Sequence, residues 1–184
     1  MRTLLLLTAL ICGVTSARPA YAQGPGGPTF EQRVSIEAVR NRINRVKGGD
    51  FDDKLDRISF VVKFKNTDIK QAFTGCKAEF YVFAQSIMNR KAYQLLGVDR
   101  SDISLPPLGT AEMSTAEVST RYDTTGAIFG AKYDSWVLVV RDGAGKMIFK
   151  KSSNPQWQAV ADKLSTLSTG KYYDHDLKEQ NVRL

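Results

Sequence analysis

Alternating apolar and polar residues, with a period of two, run through the middle of the chain. This alternation predicts half-buried β-strands. It is clearest in residues 57–65 and is repeated in residues 76–85 and 134–141. A turn with two glycines follows residue 141 and returns the chain into residues 147–150, which predicts a hairpin. The apolar positions of residues 57–65 are Ile58, Phe60, Val62 and Phe64.

Weaker patterns extend this β-rich region. Short strands are predicted at residues 92–96 and 113–122, whereas the Pro-Pro pair within residues 101–109 marks a connection or a sheet edge. Residues 32–42 are less regular, because their apolar spacing begins at two and drifts to three or four. We predict a strand with a bulge there, and a helix is the alternative. The drifting positions are Val34, Ile36, Val39 and Ile43.

The C-terminal part changes to a helical period. Asn154 is a suitable N-cap, Pro155 suits a first helical turn, and Gly170 stands where a helix would end. We therefore predict an amphipathic helix over residues 155–168. Its apolar stripe consists of Trp157, Val160, Leu164 and Leu167.

Two predicted strands are apolar on both faces, at residues 80–83 and 136–139. A two-layer arrangement covers only one face of each sheet, so the second face needs another cover. We predict that the helix at residues 155–168 packs there, and a partner protein is the competing cover.

These elements lack βαβ alternation and so indicate a mainly β protein. We predict an antiparallel immunoglobulin-like β-sandwich with an added C-terminal amphipathic helix, together spanning residues 30–170. Residues 171–184 are assigned to a polar tail. The sequence resembles immunoglobulin-like or fibronectin-III-like modules in the strands at residues 57–65 and 77–85 and in the hairpin at 136–150, although it lacks a Cys…Trp…Cys framework.

The resemblance extends to small secreted bacterial proteins, among them immunoglobulin-like proteins encoded with type IV pilus genes. It implies a non-enzymatic role in pilus or envelope assembly outside the cytoplasm. Fold alone does not define function.

The N-terminus has the pattern of a cleaved secretory signal over residues 1–22. The apolar run at residues 4–14 is far shorter than the roughly 20 residues needed to span a bilayer. The Ala20-Tyr21-Ala22 sequence supplies small residues for a signal peptidase. Cleavage would leave a flexible Gly/Pro leader at residues 23–29 and no transmembrane segment. An uncleaved anchor is the alternative.

The chain has two cysteines and one histidine, too few for a disulfide scaffold or a Cys/His zinc site. Removal of the signal would leave Cys76 alone, either buried as an inert thiol or paired between chains. His175 falls in the charged tail and is predicted to be solvated. We predict no catalytic residue, metal or cofactor.

Basic residues concentrate near the first predicted strand, in a chain with a formal net charge of +7. Arg40, Arg42, Arg45 and Lys47 are the candidate binding residues, preceded by Arg33. Such a segment binds acidic glycans or other polyanions, or it is a solvated strand face. No aromatic residues alternate with it for base stacking, so we predict no nucleic-acid binding.

Taken together, the sequence predicts an exported structural or binding protein of the cell envelope, periplasmic, outer-membrane-associated or extracellular. Its partners would be envelope or pilus proteins, bound through apolar surface or by strand addition at a sheet edge. The alternative is a glycan- or polyanion-binding module that uses the basic segment.

Overall fold

The structure is a computed structural model that describes residues 28–46, 54–123 and 129–182. The predicted signal at 1–22, most of the predicted leader and the candidate residue Lys47 lie outside these ranges. The described residues are mainly strand, which confirms the prediction of a mainly β, antiparallel protein.

Ten strands in the described residues form one antiparallel hydrogen-bonded sheet. A single helical turn, α1 (Phe30–Arg33), precedes them, and a 3-10 helix (Pro155–Thr166) lies between the eighth and ninth strands. The strands are β1 (Val34–Val46), β2 (Lys54–Asn66), β3 (Phe73–Ser86), β4 (Tyr93–Leu105), β5 (Thr110–Ser114), β6 (Val118–Asp123), β7 (Phe129–Arg141), β8 (Met147–Ser152), β9 (Tyr172–Tyr173) and β10 (Glu179–Gln180).

Strand β7 joins two parts of this sheet. The sheet runs in the order β1-β2-β6-β7-β3-β4-β9-β10, with β5 also beside β2 and β8 beside β7. The start of β7 pairs with β6, and its remainder pairs with β3. Apolar side chains of β2 pack against those of β3, and the rings of Phe60 and Phe80 lie 4.9 Å apart between centroids. The main core therefore lies between β2 and β3.

The first strand is regular, contrary to the predicted bulge. β1 pairs with β2 without any register shift, and the helical alternative applies only to the single turn α1 before it. Val34 and Ile36 lie on the inner face of β1, whereas Val39 and Ile43 lie on the outer face and are exposed. The drifting spacing arose because apolar residues occupy both faces of one regular strand.

Strand β4 is longer than the sequence indicated. It continues from Tyr93 to Leu105 and includes most of the region that was expected to be a connection or a sheet edge. The edge alternative applies to residues 101–105, since only β3 pairs with them in the described residues. Its last residues are held by apolar side chains, since Ile103 and Leu105 are buried in the main core. Pro106 and Pro107 then end the strand, because proline has no N–H for the ladder.

The outer face of β3 is covered by the C-terminal segment. Here the predicted amphipathic helix is a 3-10 helix, whose buried residues are Trp157, Ala161 and Leu164. The indole of Trp157 stacks on Phe83 with 4.2 Å between ring centroids. These buried residues form a second core with Tyr81, Phe83, Val137 and Val139. A 3-10 helix aligns side chains three residues apart, which suits Ala161 and Leu164, and Leu167 packs on this second core from the C-cap position.

The segment that was assigned to a polar tail, residues 171–184, contributes two short strands in its described part. β9 pairs with β4, and β10 pairs with β9. The reason is the Tyr172-Tyr173 pair, since both side chains are buried. Two buried aromatic side chains thus help to anchor a charged segment at the sheet edge.

Two glycines with left-handed backbone allow a matched test of this packing. Gly130 in β7 has φ +83° and Gly145 in the hairpin turn has φ +82°. A Cβ at Gly130 would collide with the backbone of Arg121, whereas one at Gly145 would meet open space. We expect alanine to lower the free energy of unfolding by about 1–2 kcal/mol at Gly145, from backbone strain, and by about 1–2 kcal/mol more at Gly130. Urea denaturation of both variants measures this, and equal costs would contradict the close approach of β6 and β7.

Candidate functional site

The free edge of β1 is the candidate site, since β1 carries the predicted basic residues at the border of the sheet. All thirteen of its residues pair with β2, from Val34 opposite Asn66 to Val46 opposite Lys54. Within the described residues, no strand pairs with its other side.

Backbone groups of alternate β1 residues face this free edge. In an antiparallel ladder each residue turns its N–H and C=O together, either toward the partner strand or away from it. The Ile36 carbonyl accepts a hydrogen bond from the Lys151 ammonium of β8 at 3.2 Å, which shows that this carbonyl faces away from β2. The backbone groups of Ala38, Arg40 and Arg42 therefore face the same way. The row they form is open to pairing with a further strand.

The two faces of β1 differ in chemistry. On the outer face Val39 is 39% exposed and Ile43 is 50% exposed. On the inner face Ile36 and Ala38 pack against the main core. Arg40 follows them on that inner face and is exposed. A strand at the free edge would thus meet Val39 and Ile43, which alternate with Glu37 and Asn41, on the outer face, and an arginine on the inner face.

Arg40 contacts an aromatic ring. Its guanidinium carbon lies 4.9 Å from the ring centroid of Tyr133, a cation–π contact. Burial raises the pKa of the Tyr133 phenol, and hydrogen bonds with Ser153 and Arg40 act in the opposite direction. In the ranges that the structure covers, no carboxylate forms an ion pair with Arg40. Its charge is therefore available at the edge.

Arg42 forms an ion pair within the protein. Its Nη2 donates to Oδ2 of Asp56 at 2.5 Å, and the Asp56 side chain is only 2% exposed. The Tyr122 hydroxyl lies 3.5 Å from the same carboxylate oxygen. Burial and the charge of Asp56 raise the pKa of Tyr122. Arg42 therefore stabilises a buried carboxylate.

The other basic residues are dispersed or lie outside the described side chains. Arg33 forms an ion pair with Asp68 at 3.4 Å. Arg45 has its backbone opposite Leu55 in the β1–β2 ladder, and its side chain is not among those described, nor is Lys47. Of the four candidate residues, the structure thus places the side chains of Arg40 and Arg42 on one face of β1, in different environments.

Two functional features of the edge were missed in the sequence. Lys151 is far away along the chain, and only the tertiary fold brings it to Ile36. The outward position of Val39 and Ile43 was missed because they were grouped with inward residues. Counting by parity from Val34 would have separated the two faces, since strand side chains alternate.

The only histidine packs against the second core, which corrects its predicted position in a solvated tail. Nε2 of His175 lies 2.9 Å from the Tyr93 hydroxyl, and its ring centroid lies 5.1 Å from that of Trp157. Burial raises the pKa of Tyr93. Gln85 also donates to the Tyr93 hydroxyl at 3.2 Å. These contacts fasten the segment after β9 to the sheet.

Cys76 is a free and buried thiol at 3% exposure. Burial raises its pKa, and the nearby charge of Asp142 raises it further. A thiolate is the reactive form of cysteine, so this environment disfavours reaction in the folded protein.

No group of three or more His, Cys, Asp or Glu side chains is placed to hold a metal ion in the residues described. No helix in the described part of the chain is long and apolar enough to cross a membrane.

Comparisons with known proteins gave weak similarities. No protein-family model matches the chain, and no curated protein matches it. The X-ray structure of Northeast Structural Genomics Consortium target SoR45 is 13% identical with a TM-score of 0.35, over 67% of this chain and 87% of that one. A crystal structure from Akkermansia muciniphila is 15% identical with a TM-score of 0.35, over 74% of this chain and 77% of that one.

A third similarity is to a β-glucosidase from Kluyveromyces marxianus in complex with glucose. It is 16% identical with a TM-score of 0.26, and it covers 65% of this chain but only 14% of the glucosidase. At these TM-scores the similarities carry no argument about the fold or the function of this chain.

Proposed function

We propose that the protein is an exported, non-enzymatic binding protein of the bacterial cell envelope, which captures an extended segment of a partner protein by strand addition at β1. The observation that carries the proposal is the row of backbone groups on Ile36, Ala38, Arg40 and Arg42 that faces away from β2. Main-chain hydrogen bonds give affinity in this mode of binding, and the flanking side chains give specificity.

Two further features support this proposal. The sequence of residues 1–22 has the pattern of a secretory signal, which favours export. The main core between the apolar faces of β2 and β3 favours an immunoglobulin-like β-sandwich, and an exposed sheet edge is a known site of strand addition. Pilus or envelope assembly proteins are the partners we expect. The glycan- or polyanion-binding alternative stays a prediction.

A proline at Ala38 tests the proposed function. The N–H of Ala38 faces the free edge, so Ala38→Pro removes an edge donor without removing a β1–β2 hydrogen bond. Ala38→Gly is the matched control, because glycine also weakens a strand but keeps the N–H. In-cell crosslinking with mass spectrometry should recover envelope proteins with the wild type and with Ala38→Gly, and at least about tenfold less with Ala38→Pro.

Circular dichroism of both variants establishes that they are folded before the comparison. Equal recovery of envelope proteins with the proline and the glycine variant would contradict strand addition at β1. Recovery of no envelope protein with the wild type would contradict the envelope assignment itself.

A further inference from the structure

We infer that the segment added at β1 is an acidic strand of another protein, with acidic and apolar residues in alternation. This inference rests on the proposed strand addition and names the chemistry of the partner. It follows from the charges and aliphatic side chains that flank the free edge, taken one face at a time.

The inner face of the free edge carries cations. Arg40 is exposed there, and the Lys151 ammonium lies 3.2 Å from the Ile36 carbonyl, four residues earlier in β1. An added strand would place its own side chains of one parity beside Ile36, Ala38 and Arg40. Acidic residues four apart on that face would lie beside Lys151 and Arg40.

Lys151 is suited to exchange its present hydrogen-bond partner for a carboxylate of the added strand. Its ammonium occupies the Ile36 carbonyl, where an N–H of the added strand would bind. Once that N–H replaces it, Lys151 needs another acceptor, and a carboxylate of the added strand supplies one at a short distance. The side chain of Lys151 is exposed, so its displacement needs no change in the core.

The outer face of β1 determines which residues of the added strand fit between its acidic positions. Val39 and Ile43 are also four residues apart and are both exposed. Apolar side chains of the added strand would lie next to them and bury this aliphatic surface. The pattern expected of the partner is therefore acidic on one face and aliphatic on the other, which is a period of two along its sequence.

The same charges disfavour a second copy of this chain. Two β1 strands from two copies would pair in antiparallel orientation over the greatest length when residue 39, 40 or 41 of one copy lies opposite the same residue of the other. Each of these registers places Arg40 of one copy opposite or diagonal to Arg40 or Arg42 of the other. Like charges at these positions are destabilising, and inward-facing charges are a known protection of edge strands. An acidic strand meets no such repulsion.

Three labelled ten-residue peptides test the inference by fluorescence anisotropy with the purified protein. They are alternating Glu-Val, Ser-Val and Lys-Val sequences with blocked ends. We expect Glu-Val to bind about 3- to 10-fold more tightly than Ser-Val, and Lys-Val to bind more weakly than both. Arg40→Glu should invert the order of the two charged peptides, whereas Val61→Ala, on neighbouring β2, should preserve it.

The outcomes separate the two proposals. Equal binding of Glu-Val and Ser-Val, with both lost in Ala38→Pro, would keep strand addition and overturn the acidic partner. Binding of none of the peptides would overturn both. A concentration-dependent dimer that Ala38→Pro abolishes would overturn the acidic partner in favour of a second copy.

Discussion

Replacement of Trp157 by alanine is expected to lower the free energy of unfolding by about 3–5 kcal/mol. The indole is completely buried between the 3-10 helix and the sheet. It stacks on Phe83 at 4.2 Å and meets the Tyr93 ring edge-on at 5.3 Å. Removal of the indole leaves a cavity that neighbouring side chains fill only partly, so both transfer energy and packing are lost.

Trp157→Phe is the matched control for this prediction. Phenylalanine keeps a ring against Phe83 and removes the indole N–H, which has no hydrogen-bond partner among the described residues. Loss of an unsatisfied buried donor offsets part of the lost packing. We therefore expect Trp157→Phe to cost about 2 kcal/mol or less.

Urea denaturation followed by the fluorescence of Trp136 measures both variants. Trp136 lies on the inner face of β7, stacked with Phe80 at 5.4 Å, so it reports on the main core in each protein. A cost below about 1 kcal/mol for Trp157→Ala would contradict the view that the 3-10 helix covers the sheet, since large core truncations cost more than this. The outer face of β3 would then need another cover.

The alternating strands were predictable because burial of one face imposes a period of two. The need for a second cover was predictable because two of the strands are apolar on both faces. The cover at residues 155–168 was also predictable, since Trp157 and Leu164 recur at helical spacing. Its 3-10 geometry was not, because the spacings of three, four and three along the predicted stripe match the α-helical period of 3.6 residues rather than a period of 3.0. The two short strands after Gly170 were not predicted, because two tyrosines among charged residues give no strand period.

The candidate site was less predictable than the fold. The arginines of β1 are visible in the sequence, but their partners depend on strand register. Arg42 lies opposite Ile58, which places it diagonally beside Asp56. No local signal shows this, because the two residues belong to different strands. The contact of Lys151 with Ile36 likewise depends on how β8 is placed beside β1.

Loss of the Arg42 side chain is expected to destabilise the protein far more than loss of Arg40. Arg42→Met leaves Asp56 buried at 2% exposure without its cation, and a buried carboxylate that loses its partner costs about 3–5 kcal/mol. Arg40→Met, two residues away on the same face of β1, loses a cation–π contact worth about 1 kcal/mol. The two variants remove the same charge, so their difference measures the role of Asp56.

A double-mutant cycle with Asp56→Leu isolates the pair. Asp56→Leu alone should cost less than Arg42→Met, because the Arg42 side chain is 31% exposed and reaches water when its partner is lost. The double variant should be more stable than the sum of the single costs predicts, by at least about 1 kcal/mol, as for residues in direct contact. Urea denaturation of the four proteins provides the cycle.

This cycle also decides how binding data on the arginines are interpreted. A variant that combines changes at Arg40 and Arg42 would lose binding partly because β1 is destabilised, whatever ligand it recognises. If Arg42→Met and Arg40→Met instead cost the same, Arg42 does not stabilise Asp56, and both arginines are available at the edge. The acidic strand would then meet two cations on β1 rather than one, and Arg42→Gln should weaken binding of the Glu-Val peptide as much as Arg40→Gln does.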